Sequence, residues 1–248
     1  MTTGLRLAGM LLRLGIELAR GLWRLRAFPR LSAQQRQAAV RAWSLRMLGA
    51  TRMRLQVLGR PHEGACLMAP NHVSWLDIMA LNAAHPTRFV SKAEVRQWPV
   101  LGRLVAGAGT LFIERGRARD AMRVMHDMAQ CLRNGEHVSV FPEGTTSDGT
   151  HVLPLHANLF QAALSADTPV QPVLLRYVDH ATGAPSRAPA YVGEDTVMDT
   201  LRLIAVGAPL RVVVHYLPAL RGQDRRQLAA AVHEALSRAL QEPVPAAR

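Results

Sequence analysis

The sequence predicts an α/β fold: a mainly parallel central sheet with helices on both faces, preceded by an amphipathic helical segment. Three observations carry this. From residue 52 onward, short apolar runs alternate with longer helix-period segments, the pattern of parallel strands joined by crossover helices. The 248 residues, 49% of them hydrophobic, supply enough chain for a sizeable buried core and too much apolar character for a disordered protein. The first fifty residues lack the alternation and read as two helices. The chain therefore divides into a helical attachment over 1–50 and an α/β domain over 51–248.

Residues 4–28 form the first element. Arg6, Arg13, Arg20 and Arg24 are spaced by seven, seven and four, so at about 100° per residue they fall within about 40° of one another. Glu17 joins that stripe, and Leu5, Leu11, Leu12, Leu18, Leu22 and Leu25 fill most of the remaining circumference. Each basic residue at mid-bilayer costs about 2.5–3.5 kcal/mol. A helix carrying this many does not span well; it suits the headgroup plane of an anionic membrane, with Trp23 at the interface. No small-residue cleavage site follows, which argues against a secretory signal. Residues 33–48 read as a second helix with Arg36, Arg41 and Arg46, stopped by Gly49.

Strands are expected at 52–59, 65–71, 87–92, 110–115, 136–144, 169–177 and 210–217, from period-two alternation or short apolar runs bounded by turn residues. Helices are expected at 75–84, 93–107, 118–133, 156–166, 196–205 and 223–240. Residues 180–195, with two prolines and two glycines, read as an excursion or hairpin.

Charge and composition narrow the function. Thirty basic against 18 acidic residues give a net charge of +12, which calls for an anionic partner. The N-terminal helix selects a membrane surface over nucleic acid, and so a peripheral or monotopic place on the cytoplasmic face of the cell membrane. Lys92 is the single lysine and is followed by Ala93, which excludes a Walker-type phosphate loop. Cys66 and Cys131 have no CxxC partner, and no histidines show metal-ligand spacing, so neither a metal nor a redox motif is expected.

In a sheet of this kind, chemistry gathers where strands end. Three segments sit there. In Ala69–Asp77, His72 and Asp77 are five apart and cannot meet on one helix. With His72 on the turn and Asp77 in the first helical turn, however, the carboxylate reaches the imidazole and fixes its tautomer, as a general base for an alcohol requires. Ser74 is placed as a helix cap. In 110–117, Arg115 and Arg117 offer guanidinium groups for a phosphate. In 141–149, Glu143 is placed to orient substrate hydroxyls, and Gly144 permits close approach to the backbone. Ser74 lies outside any Gly-x-Ser-x-Gly elbow, which counts against a serine hydrolase.

Taken in this order, the segments resemble the glycerolipid acyltransferases, in particular the bacterial lysophosphatidic acid acyltransferases. Asn71, His72 and Asp77 match the family's Asn-His-x4-Asp motif. Phe112, Ile113 and Arg115 match the arginine-ended strand, and Phe141, Pro142, Glu143, Gly144 and Thr145 match Phe-Pro-Glu-Gly-Thr. Pro172 matches a proline in a late strand, so the resemblance covers about residues 65–178. It implies a glycerol-3-phosphate acyltransferase-like fold and transfer of a fatty acyl group from acyl-CoA or acyl carrier protein to the sn-2 hydroxyl of 1-acyl-sn-glycerol 3-phosphate, giving phosphatidic acid. By analogy His72 is the base and Asp77 orients it, with no covalent acyl-enzyme and no cofactor beyond the thioester co-substrate. Arg115, Glu143, Gly144 and Thr145 would hold the acceptor. One position departs: many lysophosphatidate enzymes carry arginine after Glu-Gly-Thr, and here it is Thr146. That leaves another lysolipid, such as lyso-ornithine lipid, as the alternative acceptor. A non-catalytic basic protein coating membranes would explain the charge, but gives no reason for these residues to occur in family order.

Overall fold

The structure is a computed structural model that describes residues 3–113 and 118–246. A seven-stranded sheet lies at its centre, in the order β1-β7-β6-β2-β5-β3-β4. The strands are β1 (Met53–Leu58), β2 (Leu67–Pro70), β3 (Arg88–Lys92), β4 (Leu111–Ile113), β5 (Val138–Ser139), β6 (Val170–Asp179) and β7 (Leu210–Tyr216). Strands β6, β2, β5, β3 and β4 run parallel, as do β1 and β7, and the two blocks meet antiparallel at β6 and β7. Every segment expected as a strand contributes one. β5 is far shorter than its expected run because the chain turns out of the sheet through Pro142 and through Gly144, whose φ is +69°.

The helices are α1 (Thr3–Leu25), α2 (Ala33–Ala50), α3 (Asp77–Ala84), α4 (Leu101–Gly107), α5 (Ala118–Arg133), α6 (Gln161–Ser165), α7 (Val197–Val206) and α8 (Arg225–Gln241). Their starts are set by side-chain caps where the sequence supplies them. Ser32 with Gln35, and Thr196 with Asp199, form reciprocal capping boxes for α2 and α7, and Asp224 accepts from the N–H groups of Arg226 and Gln227 at the head of α8. Two expected helices are corrected. The 93–107 segment breaks into a 3₁₀ turn (Ala93–Gln97) and α4, because Pro99 lacks an N–H and restricts the residue before it. The 156–166 segment opens as a 3₁₀ turn over Ala157–Phe160 before α6 begins.

Each face of the sheet buries its own cluster. Met53, Val173, Leu175, Tyr177, Val212 and Val214 pack with α2, α3 and α7 on one face, and Met10 and Leu14 of α1 join the same cluster. Leu67, Val138, Val170 and Leu174 pack with α5, α6 and α8 on the other. Helix α1 is thus built into the core along Met10, Leu14, Glu17 and Gly21, while Leu5, Leu12, Ile16 and Trp23 on its far side stay exposed. Among the described residues no helix is long and apolar enough to cross a membrane.

Candidate functional site

The loop leaving β2 carries His72, and Asp77 is the first residue of α3. Asn71 fixes where that loop departs: its side chain donates to the carbonyl of Leu175 at 3.1 Å and accepts from the N–H of Leu175 at 2.7 Å, tying the end of β2 to β6. His72 Nδ1 lies 2.8 Å from Asp77 Oδ2. The same oxygen accepts the N–H groups of Val73 and Ser74 at 2.7 and 2.9 Å, so the carboxylate draws the turn around itself. Ser74 does not cap α3 as expected. Its hydroxyl accepts the N–H of Leu76, while Asp77 takes the role of organising the turn.

The Asp77 side chain has no solvent exposure and that of His72 has 20%. Because the carboxylate is an acceptor, Nδ1 carries the proton, and Nε2 is left with its lone pair and no hydrogen bond among the described residues. Tyr177 of β6 completes the group, its hydroxyl donating to Asp77 Oδ1 at 2.6 Å. Burial, together with the neighbouring carboxylate, pushes the Tyr177 hydroxyl well above its ordinary range, so it stays a donor. Sequence reasoning did not find Tyr177. Its only signal was a hydroxyl on the core-facing side of an apolar strand, and nothing in the spacing tied it to a carboxylate 100 positions away.

The Phe-Pro-Glu-Gly-Thr loop leaves β5 alongside. The Phe141 ring stacks on His72 with centroids 3.8 Å apart and planes 16° apart. Glu143 is 4% exposed, and both its oxygens take backbone N–H groups, those of His72 at 2.9 Å and Leu153 at 3.2 Å. Burial raises its carboxyl above the ordinary range, opposed by those two N–H groups. Gly144 has φ +69°, and a Cβ there would lie 2.9 Å from His156 Nε2, so only glycine fits. Thr145 is exposed. Ser147 closes the loop by donating its N–H to the carbonyl of His72 at 2.8 Å. Arg115 and Arg117, expected to hold a phosphate, lie outside the described residues.

The 180–195 excursion returns over this loop. Tyr191 donates its N–H to the carbonyl of Val73 at 3.0 Å, Thr146 Oγ1 donates to the carbonyl of Tyr191, and Arg187 pairs with Asp148. Thr146 is therefore committed internally. On the other side, an apolar cavity of about 60 Å³ opens between the N-terminal helices, α3, α4 and β3, lined by Gly21, Leu25, Trp43, Met79, Phe89 and Leu104 among others. Phe89 continues toward the dyad: its ring lies 6.1 Å from that of Phe141, which stacks on His72.

Comparison with known proteins gives four matches. A family model described as Acyltransferase matches residues 54–176. A Neisseria gonorrhoeae protein named 1-acyl-sn-glycerol-3-phosphate acyltransferase is 43% identical over 161 residues, which is 64% of this chain and 62% of that one. The match thus spans less than two thirds of the neisserial relative. A lyso-ornithine lipid O-acyltransferase of Pseudomonas aeruginosa is 36% identical over 207 residues, 83% of this chain and 79% of the relative. In fold, the chain resembles the crystal structure of the 1-acyl-sn-glycerophosphate acyltransferase of Thermotoga maritima, with a TM-score of 0.72 over 96% of this chain and 94% of the other, at 18% identity.

Proposed function

The chain belongs to the acyltransferase family, and we propose that it moves a fatty acyl group from a thioester carrier to the hydroxyl of a membrane lysolipid. One observation carries the reading: an imidazole whose Nδ1 is held by a fully buried carboxylate and whose Nε2 is free. In the step this supports, Nε2 takes the proton of the acceptor hydroxyl as its oxygen attacks the thioester carbonyl. The tetrahedral adduct then expels the thiolate, which leaves as the thiol with the proton held on His72. Asp77 keeps the ring oriented and stabilises the imidazolium, and Tyr177 and the two backbone N–H groups keep Asp77 in place. The donor is acyl-CoA or acyl carrier protein, both anionic and both suited to an arginine-rich chain. The cavity beside Phe89 suits an alkyl chain.

The acceptor we favour is 1-acyl-sn-glycerol 3-phosphate, giving phosphatidic acid. A second reading, lyso-ornithine lipid, is favoured by Thr146, which stands where a guanidinium would meet a phosphomonoester and is tied to Tyr191. It is also favoured by the breadth of the Pseudomonas match. The site would work at the cytoplasmic surface of an anionic membrane, reached through the exposed apolar side of α1 and its arginine stripe.

The test offers an acyl-thioester with either lysolipid in vesicles to the wild type and to His72→Ala. Transfer is expected to fall about 10²–10⁴-fold in the variant, and the acceptor used by the wild type decides between the readings. Undiminished transfer by His72→Ala would sink the mechanism.

A further inference from the structure

The α8-facing side of the β1-β7-β6 block carries an unusual set of side chains for a covered sheet. Register places Arg54, Arg211 and Val178 side by side across the three strands, then Gln56, Val213 and Arg176, then Leu58, His215 and Leu174. Cross-strand neighbours of this kind have Cβ atoms about 4.5–5.5 Å apart, and diagonal ones about 7–8 Å. Three arginines and a histidine therefore share one small area. His180, just past β6, accepts from Arg54 Nη1 at 3.1 Å through Nε2, so its Nδ1 carries a proton.

Arg211 is 2% exposed, and its Nε and Nη1 are buried with no hydrogen-bond partner among the described residues. Arg176 Nε, His180 Nδ1 and His215 Nδ1 are orphaned in the same way. An arginine cannot escape burial by losing its proton, and an uncompensated buried charge costs several kcal/mol. Nearby acids do not supply the missing charge. Asp179 Oδ1 is taken by Ala181, Thr182 N and Thr182 Oγ1 of its own turn, and among the described residues no ion pair joins an acid to Arg54, Arg176 or Arg211. Burial lowers the proton affinity of both Arg176 and His215, with the Arg176 charge adding to the effect on His215, and the Glu242 carboxylate offsets this only in part; the direct contact from Glu242 to Arg176 is through its backbone carbonyl. Gln56 adds one orphaned acceptor, Oε1. The area is bounded by the tail after α8, where Gln56 donates to the carbonyl of Ala246, and by the 181–183 turn, where a Cβ on Gly183 would lie 3.7 Å from Arg211 Nη2.

We propose that this face is an anion site with Arg211 as its floor and Arg54 as its exposed rim, and that it takes a phosphate group. Guanidinium and imidazole N–H donors on neighbouring strands suit a tetrahedral oxyanion, and the Gln56 acceptor suits its protonated oxygen. The site is separate from the dyad. Residues 176 and 178 face away from Tyr177 across β6, so a bound phosphate braces the strand that delivers Tyr177 to Asp77 without touching either.

The test is calorimetric titration of the full chain with inorganic phosphate at fixed ionic strength, alongside binding to phosphatidylglycerol-containing and pure phosphatidylcholine vesicles. It uses the wild type, Arg211→Met and the rim variant Arg54→Gln, which carries the test if the buried variant fails to fold. Phosphate affinity is expected to drop about tenfold or more in each variant, while Arg211→Met in phosphate-free buffer melts no lower than the wild type. A variant-dependent loss seen only with phosphatidylglycerol vesicles supports the same chemistry with a lipid headgroup as its source. Equal binding by the wild type and both variants in every arm, or a wild type that responds to phosphate no more than to chloride with no variant dependence on phosphatidylglycerol vesicles, would overturn the proposal.

Discussion

Asp77 spends three of its contacts on donors from its own chain neighbourhood and one on Tyr177, and each has a separate consequence. The N–H groups of Val73 and Ser74 are backbone and cannot be lost by substitution, whereas the Tyr177 hydroxyl can. Tyr177→Phe keeps the ring in the core and leaves Oδ1 of a fully buried carboxylate without its donor. A hydrogen bond to a charged group contributes about 1.5–3 kcal/mol. The expected outcome is a kcat lower by about tenfold to hundredfold with KM for the thioester unchanged, because the residue acts through Asp77 and touches no substrate. A fall in KM-dependent terms alone, with kcat intact, would place Tyr177 in binding instead. Glu143 belongs to the same scale of description: with both oxygens on backbone N–H groups, it holds the His72 turn against the Leu153 segment.

At the scale of elements, the hold of α1 on α2 centres on Glu17. Its carboxylate takes Arg20 and Arg46, the latter at 2.9 Å, and its carbonyl accepts Trp43 Nε1 at 2.8 Å. Burial works against the charged form of Glu17, yet the two arginine hydrogen bonds and their charges prevail and hold its carboxyl below the ordinary value of 4.5. A depressed carboxylate contributes stability that is present above 4.5 and lost as pH falls through the lower folded value. Glu17→Gln is therefore expected to lower stability by about 1–2 kcal/mol at neutral pH, with the difference from the wild type shrinking in urea melts as the pH drops below 4.5. Elements of this kind were legible in the sequence to unequal degrees. α5 fills the residues its periodicity marked because an amphipathic stripe on a sheet is a local signal. The break at Pro99 and the early end of β5 depended on backbone restrictions that periodicity does not weigh. His72 and Asp77 were legible as a pair because their contact is encoded within a few residues; of Glu143 only the place in the loop was legible, since both its oxygens take backbone N–H groups and not the substrate hydroxyls expected. Tyr177 and the α1–α2 latch were not, since both are contacts between distant segments.

The whole molecule presents charge and apolar surface together. The net charge of +12 and the exposed apolar side of α1 are the two features behind the proposed docking on an anionic membrane, and substitution separates them. Leu12 and Trp23 are 66% and 69% exposed, and Arg6, Arg13, Arg20 and Arg24 are all exposed on the stripe beside the buried face. Deleting α1 would not isolate this contribution, because Met10 and Leu14 belong to the core and Glu17 anchors Trp43 and Arg46. Substitution at the outer side does isolate it. Leu12→Ser with Trp23→Ser removes apolar area that a membrane would bury, at up to about 1.5–3 kcal/mol per fully buried side chain. Vesicle partitioning is expected to fall about tenfold or more, with thermal stability close to that of the wild type, as for other surface changes. Arg13→Gln acts differently: about 1 kcal/mol per charge is lost on anionic vesicles only, and the difference disappears as added salt shortens the screening length. Should the serine variant sediment with vesicles as well as the wild type does while the arginine variant does not, charge alone would hold the protein at the surface. The apolar side of α1 would then need another explanation.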